Sequence, residues 1–514
     1  MILGRVVRTN LGCADGKMGA VMGSMKVVLS TPPGKTTELW PPLGLLYIAS
    51  SVRSKRNDDV RVIDAFCENL TSDDLLKRVV DEKPDVFGLN CSTHTFLSAI
   101  ELLRRMKEAL PGTKIVLGGY HATFAAERII RGYPFIDYIV KGEGEGSFVR
   151  LLQCIEDGSS PSQIGGICYL DGGQFVNNPF TLIEDLDALP FPSRDLLHGV
   201  HYGYFHQGIR LTFGKFTTIC TSRGCPFKCT YCSCAELSLR KWRPRSAENV
   251  ADEMEQIYND GYKCCVVVDD NFTHRRRRVE ELCHLIRERK IKMQFYCEGR
   301  VDGASYELMK EMKRSGFDVM YFGVESASQR VLDYYQKHIQ PAKSTEAIAN
   351  AKRCGMLVVT SYIVGAPIET REDAEKTVNM IRETRPHGVQ VNILDCLVGT
   401  PIWNELEESK LVAPSDWETN HRIFEYEATP LSKEEIEGFV VEGYAAHLNG
   451  WKTRGGLKDL TRLIIKNKTA RQIIFNNILS SAARKRIFEE LGIEEVRSPL
   501  EKMPANASPA SRNR

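Results

Sequence analysis

Residues 221–233 read TSRGCPFKCTYCS and set Cys225, Cys229 and Cys232 in the spacing CxxxCxxC. Three thiolates in one short loop, which Gly224 and Pro226 keep out of regular structure, suit an iron–sulfur cluster. Such clusters are usually held by four cysteines, so three leave one iron open to an outside ligand. Openness at a metal is the mark of chemistry rather than scaffolding. The alternative is a structural zinc loop with Cys220 or Cys234 as fourth ligand, although zinc sites more often pair a CxxC with a distant second pair.

The setting Gly-Cys-Pro-Phe-Lys-Cys-Thr-Tyr-Cys resembles the radical S-adenosylmethionine enzymes. The resemblance implies a 4Fe–4S cluster on Cys225, Cys229 and Cys232 whose open iron chelates the amino and carboxylate groups of S-adenosylmethionine. It also implies reductive cleavage of the sulfonium to a 5′-deoxyadenosyl radical that takes hydrogen from a substrate. Further candidates end successive strand-like runs: Asp269-Asp270-Asn271, Glu298-Gly299-Arg300, Gly323-Val324-Glu325-Ser326 and Gly365-Ala366-Pro367. Carboxylates there can accept from ribose hydroxyls or an ammonium, and Arg300 can pair a carboxylate. Gly-Val-Glu-Ser resembles a Gly-x-Glu-Ser signature of that family, which implies Glu325 and Ser326 as S-adenosylmethionine contacts beside Asp270 and Arg300. Gly365 and Pro367 resemble the adenine-side Gly-x-Pro turn, and the family pattern puts Phe227 and Tyr231 near the adenine. Each of these residues alone reads equally as a turn or a solvated carboxylate; their recurrence at strand ends makes them a ring. Lys228 reads as charge around an anionic cluster, and Arg275 to Arg278, at a helix start, as a solvated basic face.

A second set of candidate loops lies in the first third of the chain: Thr31-Pro32-Pro33-Gly34, Asp64-Ala65, Cys91-Ser92-Thr93-His94, Gly118-Gly119-Tyr120-His121-Ala122-Thr123 and Lys141-Gly142-Glu143-Gly144-Glu145, with Leu43 and Gly44 opening a helix. Glycines let a ligand approach backbone amides, and Ser92, Thr93 and Thr123 can hydrogen-bond it, so a large flat ligand rimmed with amides would fit. Gly-Gly-x-His-Ala-Thr followed by Lys-Gly-Glu-Gly-Glu resembles the cobalamin-binding domain that precedes many radical S-adenosylmethionine domains. These loops hold no Asp-x-His-x-x-Gly, so the resemblance implies a corrinoid with its dimethylbenzimidazole displaced and its lower axial position not taken by that histidine. His121 reads as a capping or hydrogen-bonded loop histidine rather than a cobalt ligand. The plainer alternatives are glycines in tight strand-to-helix turns and a fold kept for partner contact.

Both sets must be positioned by βα units. Strand-like runs at 26–30, 60–64, 85–90, 114–117 and 137–140 alternate with helix-like segments at 43–52, 72–80, 96–109, 122–130 and 145–155, the pattern of a parallel sheet. Five such units predict a doubly wound, flavodoxin-like α/β domain over 25–157, whose ligands sit beyond the strand carboxyl ends. A proline-punctuated connector, 158–210, carries a small β element near 165–169; its Arg194-Asp195-Leu196-Leu197 resembles the family's linker. Six more units follow, with strands at 216–220, 263–268, 292–297, 319–324, 357–364 and 388–395 and helices at 247–259, 277–289, 305–315, 344–354 and 372–383. They predict a partial (β/α)6 barrel over 211–403, its active site at the strand C-terminal face, where the cysteine loop falls. Beyond it, 404–497 reads as a helical region, with helices at 433–448, 457–465 and 469–491, of the kind that closes a barrel mouth. Residues 1–24 read as a disordered extension or the product of an upstream start codon, and 498–514 as a disordered tail.

At 514 residues the chain needs two to four domains, and 42% hydrophobic with 26% charged residues is the balance of a soluble globular protein. No run of about eighteen apolar residues occurs, and the first segment, with Arg5, Arg8, Asp15 and Lys17, has no signal-peptide h-region. A net charge of +2 gives no electrostatic case for nucleic acid or membrane. Sixteen cysteines without a secretion signal point to a reducing compartment, here an anaerobic or microaerobic cytoplasm.

Together these readings predict a cobalamin-dependent radical S-adenosylmethionine methyltransferase acting on an unactivated carbon. One S-adenosylmethionine would methylate cob(I)alamin, a second would be cleaved at the cluster, and methylcobalamin would supply the methyl group to the substrate radical. A one-electron reductant such as ferredoxin or flavodoxin is implied. The acceptor is a peptide, protein or small molecule: resembling proteins methylate antibiotic precursors, peptides, lipids and a glutamine of methyl-coenzyme M reductase. A cobalamin-dependent cyclase of the bacteriochlorophyll-pathway type is the enzymatic alternative, and a corrinoid-binding regulator the non-enzymatic one.

Overall fold

The computed structural model describes residues 24–473, apart from 35–38, 198, 201, 204, 207–208 and 213. The expected disordered tail, nearly all of the expected N-terminal extension and most of the expected helix 469–491 lie outside the described residues.

The first sheet contains β1 (Lys26–Thr31), β2 (Asp59–Asp64), β3 (Val86–Asn90), β4 (Lys114–Gly118), β5 (Tyr138–Val140), β6 (Ile167–Asp171) and β7 (Gln174–Asn177), in the order β2-β1-β3-β4-β5-β6-β7. Its first five strands are parallel in flavodoxin-like order. Apolar residues on both faces account for the burial. Val27 and Leu29 pack with Leu46, Val52, Phe148 and Leu152 of the helices Leu43–Lys55 and Gly144–Asp157, whereas Val28, Phe87, Ile115 and Leu117 face the helices on the other side. The expected helix 122–130 is two, Tyr120–Phe124 and Ala126–Gly132, broken at Ala125. Residues 167–177, expected in the connector, instead extend the sheet with two antiparallel strands whose pairing covers the β5 edge.

The second sheet is β8 (Phe216–Ile219), β9 (Cys264–Val267), β10 (Gln294–Arg300), β11 (Phe317–Glu325), β12 (Leu357–Val364) and β13 (Gly388–Ile393), six parallel strands in sequential order. Among the described residues no pairing joins β8 to β13, so the barrel is open on one side. Strand alternation divides its packing. Cys265, Val267, Phe295, Cys297 and Met320 meet the surrounding helices, while Cys264, Val266, Tyr296, Val319 and Val359 form the inner wall.

Among the described residues, the last two helices, Arg454–Lys466 and Lys468–Ile473, pack at the end of the barrel away from the cysteine loop. Leu463, Ala470 and Ile473 pack on that inner wall. Asn467 Nδ2 donates to the carbonyls of Asp318 (3.0 Å) and Gly355 (3.1 Å), and Thr469 Oγ1 donates to Asp318 Oδ2 (2.8 Å). Asp318 and Gly355 lie at the starts of β11 and β12, so this tail plugs the opposite, strand-N-terminal end. The helix Lys433–Trp451 covers the β13 edge, where a Cβ on Gly443 would press on Val391 at 2.9 Å.

Candidate active site

The cysteine loop leaves β8 and is held from three directions. Asp269, 2% exposed at the end of β9, accepts from Thr221 N (2.6 Å), Thr221 Oγ1 (2.5 Å) and Ser222 Oγ (2.5 Å), and Asp270 accepts from Gly224 N (2.8 Å). Within the loop Cys232 N donates to the Cys229 carbonyl (3.1 Å), and Thr230 N donates to that of Tyr335 (3.1 Å). Gly224 has φ +83, and any Cβ there would clash with the Lys241 carbonyl and Ser238, so only glycine passes. Arg278, expected on a solvated face, is buried and donates to the carbonyls of Thr221 (2.5 Å) and Arg245 (2.9 Å).

Three thiols of one anchored loop thus lie at the strand-C-terminal end of the barrel, the donor set of a cluster with one open iron, and of the three Cys232 lines the cavity described below. Burial pushes the Cys225 thiol up to about 11 and raises that of Cys229, so both favour the thiolate only against a cation. The Cys234 thiol, hydrogen-bonded to Cys232, draws the latter below its ordinary range. Among the described residues no three His, Cys, Asp or Glu side chains converge on a single-ion site. A cubane does not require such convergence, since each thiolate binds a different iron.

Around this loop, the ring expected from strand ends is partly present. Glu325, with φ +67 and 6% exposed, accepts from Lys337 Nζ (2.8 Å) and lies 3.2 Å from the Tyr231 hydroxyl; Lys337 Nζ also donates to Tyr231 (3.0 Å). The Arg300 guanidinium stacks over Phe227 at 3.7 Å and donates to Asp302 (3.1 Å) and the Lys337 carbonyl (2.6 Å). These residues could hold the amino-acid end of S-adenosylmethionine. Ser326 is different: fully buried, its hydroxyl is engaged by Thr377 Oγ1 (3.3 Å) and Ser328 N (3.1 Å), so it supports the strand end instead of facing a ligand. Gly365, at φ +103, and Ala366 donate their amides to Glu369 Oε2 (2.6 and 3.2 Å), which fixes the turn that leads to Pro367.

The first domain brings its loops to the same place. A cavity of about 710 Å³ is lined by Leu43, Gly44, Gly118, Gly119, Tyr120, Thr123, Gly142, Glu143, Gly144 and Glu145 from one rim and by Gly224, Cys232, Cys234 and Asp270 from the other. A Cβ at Gly44 would meet nothing within 4 Å, so glycine there leaves the space to a ligand. This roomy, glycine-edged cradle fits a corrinoid. Tyr120 projects into it, 61% exposed, with Asp270 on the facing wall.

Several expected cofactor residues stand elsewhere. Asp64 is buried, bonded to Thr31 Oγ1 (2.9 Å) and the Tyr202 hydroxyl (3.0 Å), and with Pro32 and Pro33 it does not line the cavity. Ser92 and Thr95 cap a helical turn, and neither Ser92, Thr93 nor His94 reaches the lining. His121 lies behind the wall, packed on Phe96 (4.3 Å) and Trp417 (5.8 Å), with Nδ1 3.1 Å from Thr93 Oγ1 and Nε2 unpartnered. Burial lowers its pKa to about 4, so it is neutral at physiological pH.

Glu143 and Glu145 line the cavity, yet their carboxylates are engaged across the domain boundary. Glu143 takes both guanidinium nitrogens of Arg243 (2.8 and 2.7 Å) and Ile183 N (2.7 Å), while Arg223 binds Glu145 at 2.5 Å. Burial alone would raise the Glu143 pKa; Arg243 and Arg223 more than offset this and hold its carboxyl below the usual range. Arg223 sat in plain view inside the cysteine motif, whereas Lys337 and Arg243 carry no sequence signal.

Residues 33–152 match the B12 binding domain family and residues 219–381 the radical SAM superfamily. An uncharacterized methyltransferase of Pyrococcus horikoshii is 33% identical over 404 residues, which span 77% of this chain and 86% of that protein. The anaerobic magnesium-protoporphyrin IX monomethyl ester cyclase of Cereibacter sphaeroides is 28% identical over 72% of this chain and 61% of its own length. The cobalamin-dependent S-adenosylmethionine radical enzyme OxsB, solved with aqua-cobalamin and S-adenosylmethionine, shares the fold, with a TM-score of 0.65 at 16% identity over 93% of this chain and 76% of its own. The thiol loop, the corrin-sized cradle facing it and these relatives agree: the chain belongs to the cobalamin-dependent radical S-adenosylmethionine enzymes of the methyltransferase-like kind, and its cofactors are a 4Fe–4S cluster, S-adenosylmethionine and cobalamin.

Proposed function

We propose that the protein transfers a methyl group from methylcobalamin to an unactivated carbon of a substrate held between its two domains. One observation carries this reading: the strand ends of both sheets open on a single cavity, with Gly118, Gly119 and Tyr120 opposite Cys232 and Asp270. Cofactors held on the two walls would address the same substrate carbon, and proximity supplies much of the rate. When bound, the cluster and S-adenosylmethionine supply the radical, and cobalamin the methyl group. Cys225, Cys229 and Cys232 would hold the cluster, and Lys337, Glu325 and Arg300 would orient the amino-acid end of S-adenosylmethionine. The glycine-edged rim from Gly44 to Gly144 would take the corrin. Glu143, Glu145, Arg223 and Arg243 keep the two walls in register.

The long reach of the methyltransferase similarity, 86% of that relative against 61% of the cyclase, favours methyl transfer over ring closure. The acceptor is proposed as a peptide or protein residue, a glutamine of methyl-coenzyme M reductase among them, or a natural-product precursor, in the cytoplasm. Anaerobic reconstitution with iron, sulfide and hydroxocobalamin, followed by turnover with methyl-deuterated S-adenosylmethionine, tests the reading. A product heavier by one labelled methyl group supports it; loss of hydrogens or gain of oxygen without label would move the assignment to the cyclase reaction.

A further inference from the structure

One charged surface is not absorbed by this site. Beside the cysteine loop, Arg275, Arg276 and Arg277 are exposed at the start of the helix Arg276–Glu288, and Lys228, between two cluster cysteines, is exposed as well. Arg276 pairs with Glu280 (2.7 Å), Arg240 with Glu236 (2.8 Å) and Lys241 with Glu184 (3.0 Å). Among the described residues, no carboxylate pairs with Lys228, Arg275 or Arg277, so the patch keeps a positive excess although the whole chain is near neutral.

Contiguous packing joins this patch to the thiol loop. Phe227, two residues after Cys225, meets the His274 ring edge-on at 6.0 Å; His274 meets Trp242 at 4.8 Å, and the Arg275 guanidinium lies 5.2 Å from the Trp242 ring. Arg300 also covers the Phe227 ring, at 3.7 Å. The basic run is thus the outer end of a short aromatic bridge that starts within the cluster loop.

We propose that Lys228, Arg275, Arg276 and Arg277 form the docking face for a small acidic electron-carrier protein of the flavodoxin or ferredoxin class. The step it serves moves one electron: the reduced carrier is oxidised by one electron, the cluster is reduced from the 2+ to the 1+ state, and no bond or proton changes hands. Charge complementarity raises the encounter rate, an effect that salt screens. The inference rests on the cluster assignment and not on methyl transfer, so its test needs no methyl acceptor.

The experiment compares reconstituted wild type with Arg275→Glu/Arg277→Glu. Cluster reduction is followed by absorbance and electron paramagnetic resonance, 5′-deoxyadenosine release by chromatography, and carrier affinity by calorimetry. With flavodoxin hydroquinone the variant should be reduced about tenfold or more slowly and bind the carrier more weakly, whereas dithionite should reduce both proteins alike. In wild type, the flavodoxin rate should fall as ionic strength rises and the dithionite rate should not share that fall. Equal flavodoxin rates in the two proteins overturn the proposal. So does an equal loss with both reductants, which places the arginines in upkeep of the cluster, or a salt-independent wild-type rate. Tighter binding of a duplex oligonucleotide than of the carrier also overturns it by assigning the patch to nucleic acid.

Discussion

Cys225, Cys229 and Cys232 share a loop but not an environment: the neighbouring Cys234 draws the Cys232 thiol below its ordinary range, whereas burial raises those of Cys225 and Cys229. Replacing any one of the three by Ala should abolish cluster assembly, seen as loss of iron, sulfide and the charge-transfer absorbance, and with it 5′-deoxyadenosine formation. Lys337 is a different kind of residue. It and Glu325 are each 7% exposed at the side chain, so Lys337→Met leaves a buried carboxylate without its cation. The expected cost is about 3–5 kcal/mol, measured by urea unfolding of the apoprotein. Glu369 gives a pH signature. It is fully buried with Oε1 unpartnered, and burial lifts its pKa from 4.5 to about 7. Its folded form therefore binds the proton more tightly than the unfolded chain does. Its contribution is full below pH 4.5 and is lost as pH rises through 7, a decline of about 3 kcal/mol. Glu369→Gln should flatten that part of the stability–pH curve.

Between elements, the decisive contact joins the loop after β5 to the cysteine loop. Arg223 immediately precedes Gly224, and its pairing with Glu145 fixes the cradle to the thiol loop. Arg223→Met should destabilise the molecule by about 3–5 kcal/mol, the cost of breaking a buried pair, in a single thermal transition, because the Arg243–Glu143 pair still joins the domains. The double variant with Glu145→Gln should cost less than the sum of the single changes. The same loop shows how far sequence carried. The order of elements was legible, because β-rich apolar runs and amphipathic segments alternate regularly, and so was the cysteine loop, because its ligands are local. What escaped was set by tertiary contact. Glycines and carboxylates in Lys141-Gly142-Glu143-Gly144-Glu145 look alike whether they face a ligand or two arginines 78 and 100 residues away. His121 sits in a motif suggestive of ligand binding, yet the helix starting at Tyr120 turns it behind the wall and leaves Tyr120 in the cavity. The tail plug was illegible for the same reason: nothing in Asn467 announces Asp318 as its partner.

At the scale of the whole molecule, the fold brings two cofactor cradles to a shared space, and the C-terminal plug keeps the other end of the barrel shut. Selective damage to one cradle should then leave the other loaded. Gly44 offers that separation. It lies at the second position of the helix Leu43–Lys55, its φ lies outside the left-handed region, and a side chain there meets no protein atom within 4 Å. Gly44→Phe should cost the fold little, since replacing a helical glycine is neutral or favourable. The ring would occupy space in the cavity that glycine leaves to the corrin. Cobalamin retained after gel filtration, read from its visible spectrum, should fall at least tenfold, while iron and sulfide content stay at the wild-type level. Cobalamin should raise the melting temperature of wild type, by linkage, and not that of the variant. Unchanged cobalamin uptake would place the corrin away from Gly44 and detach the proposed methyl donor from the wall that faces Cys232.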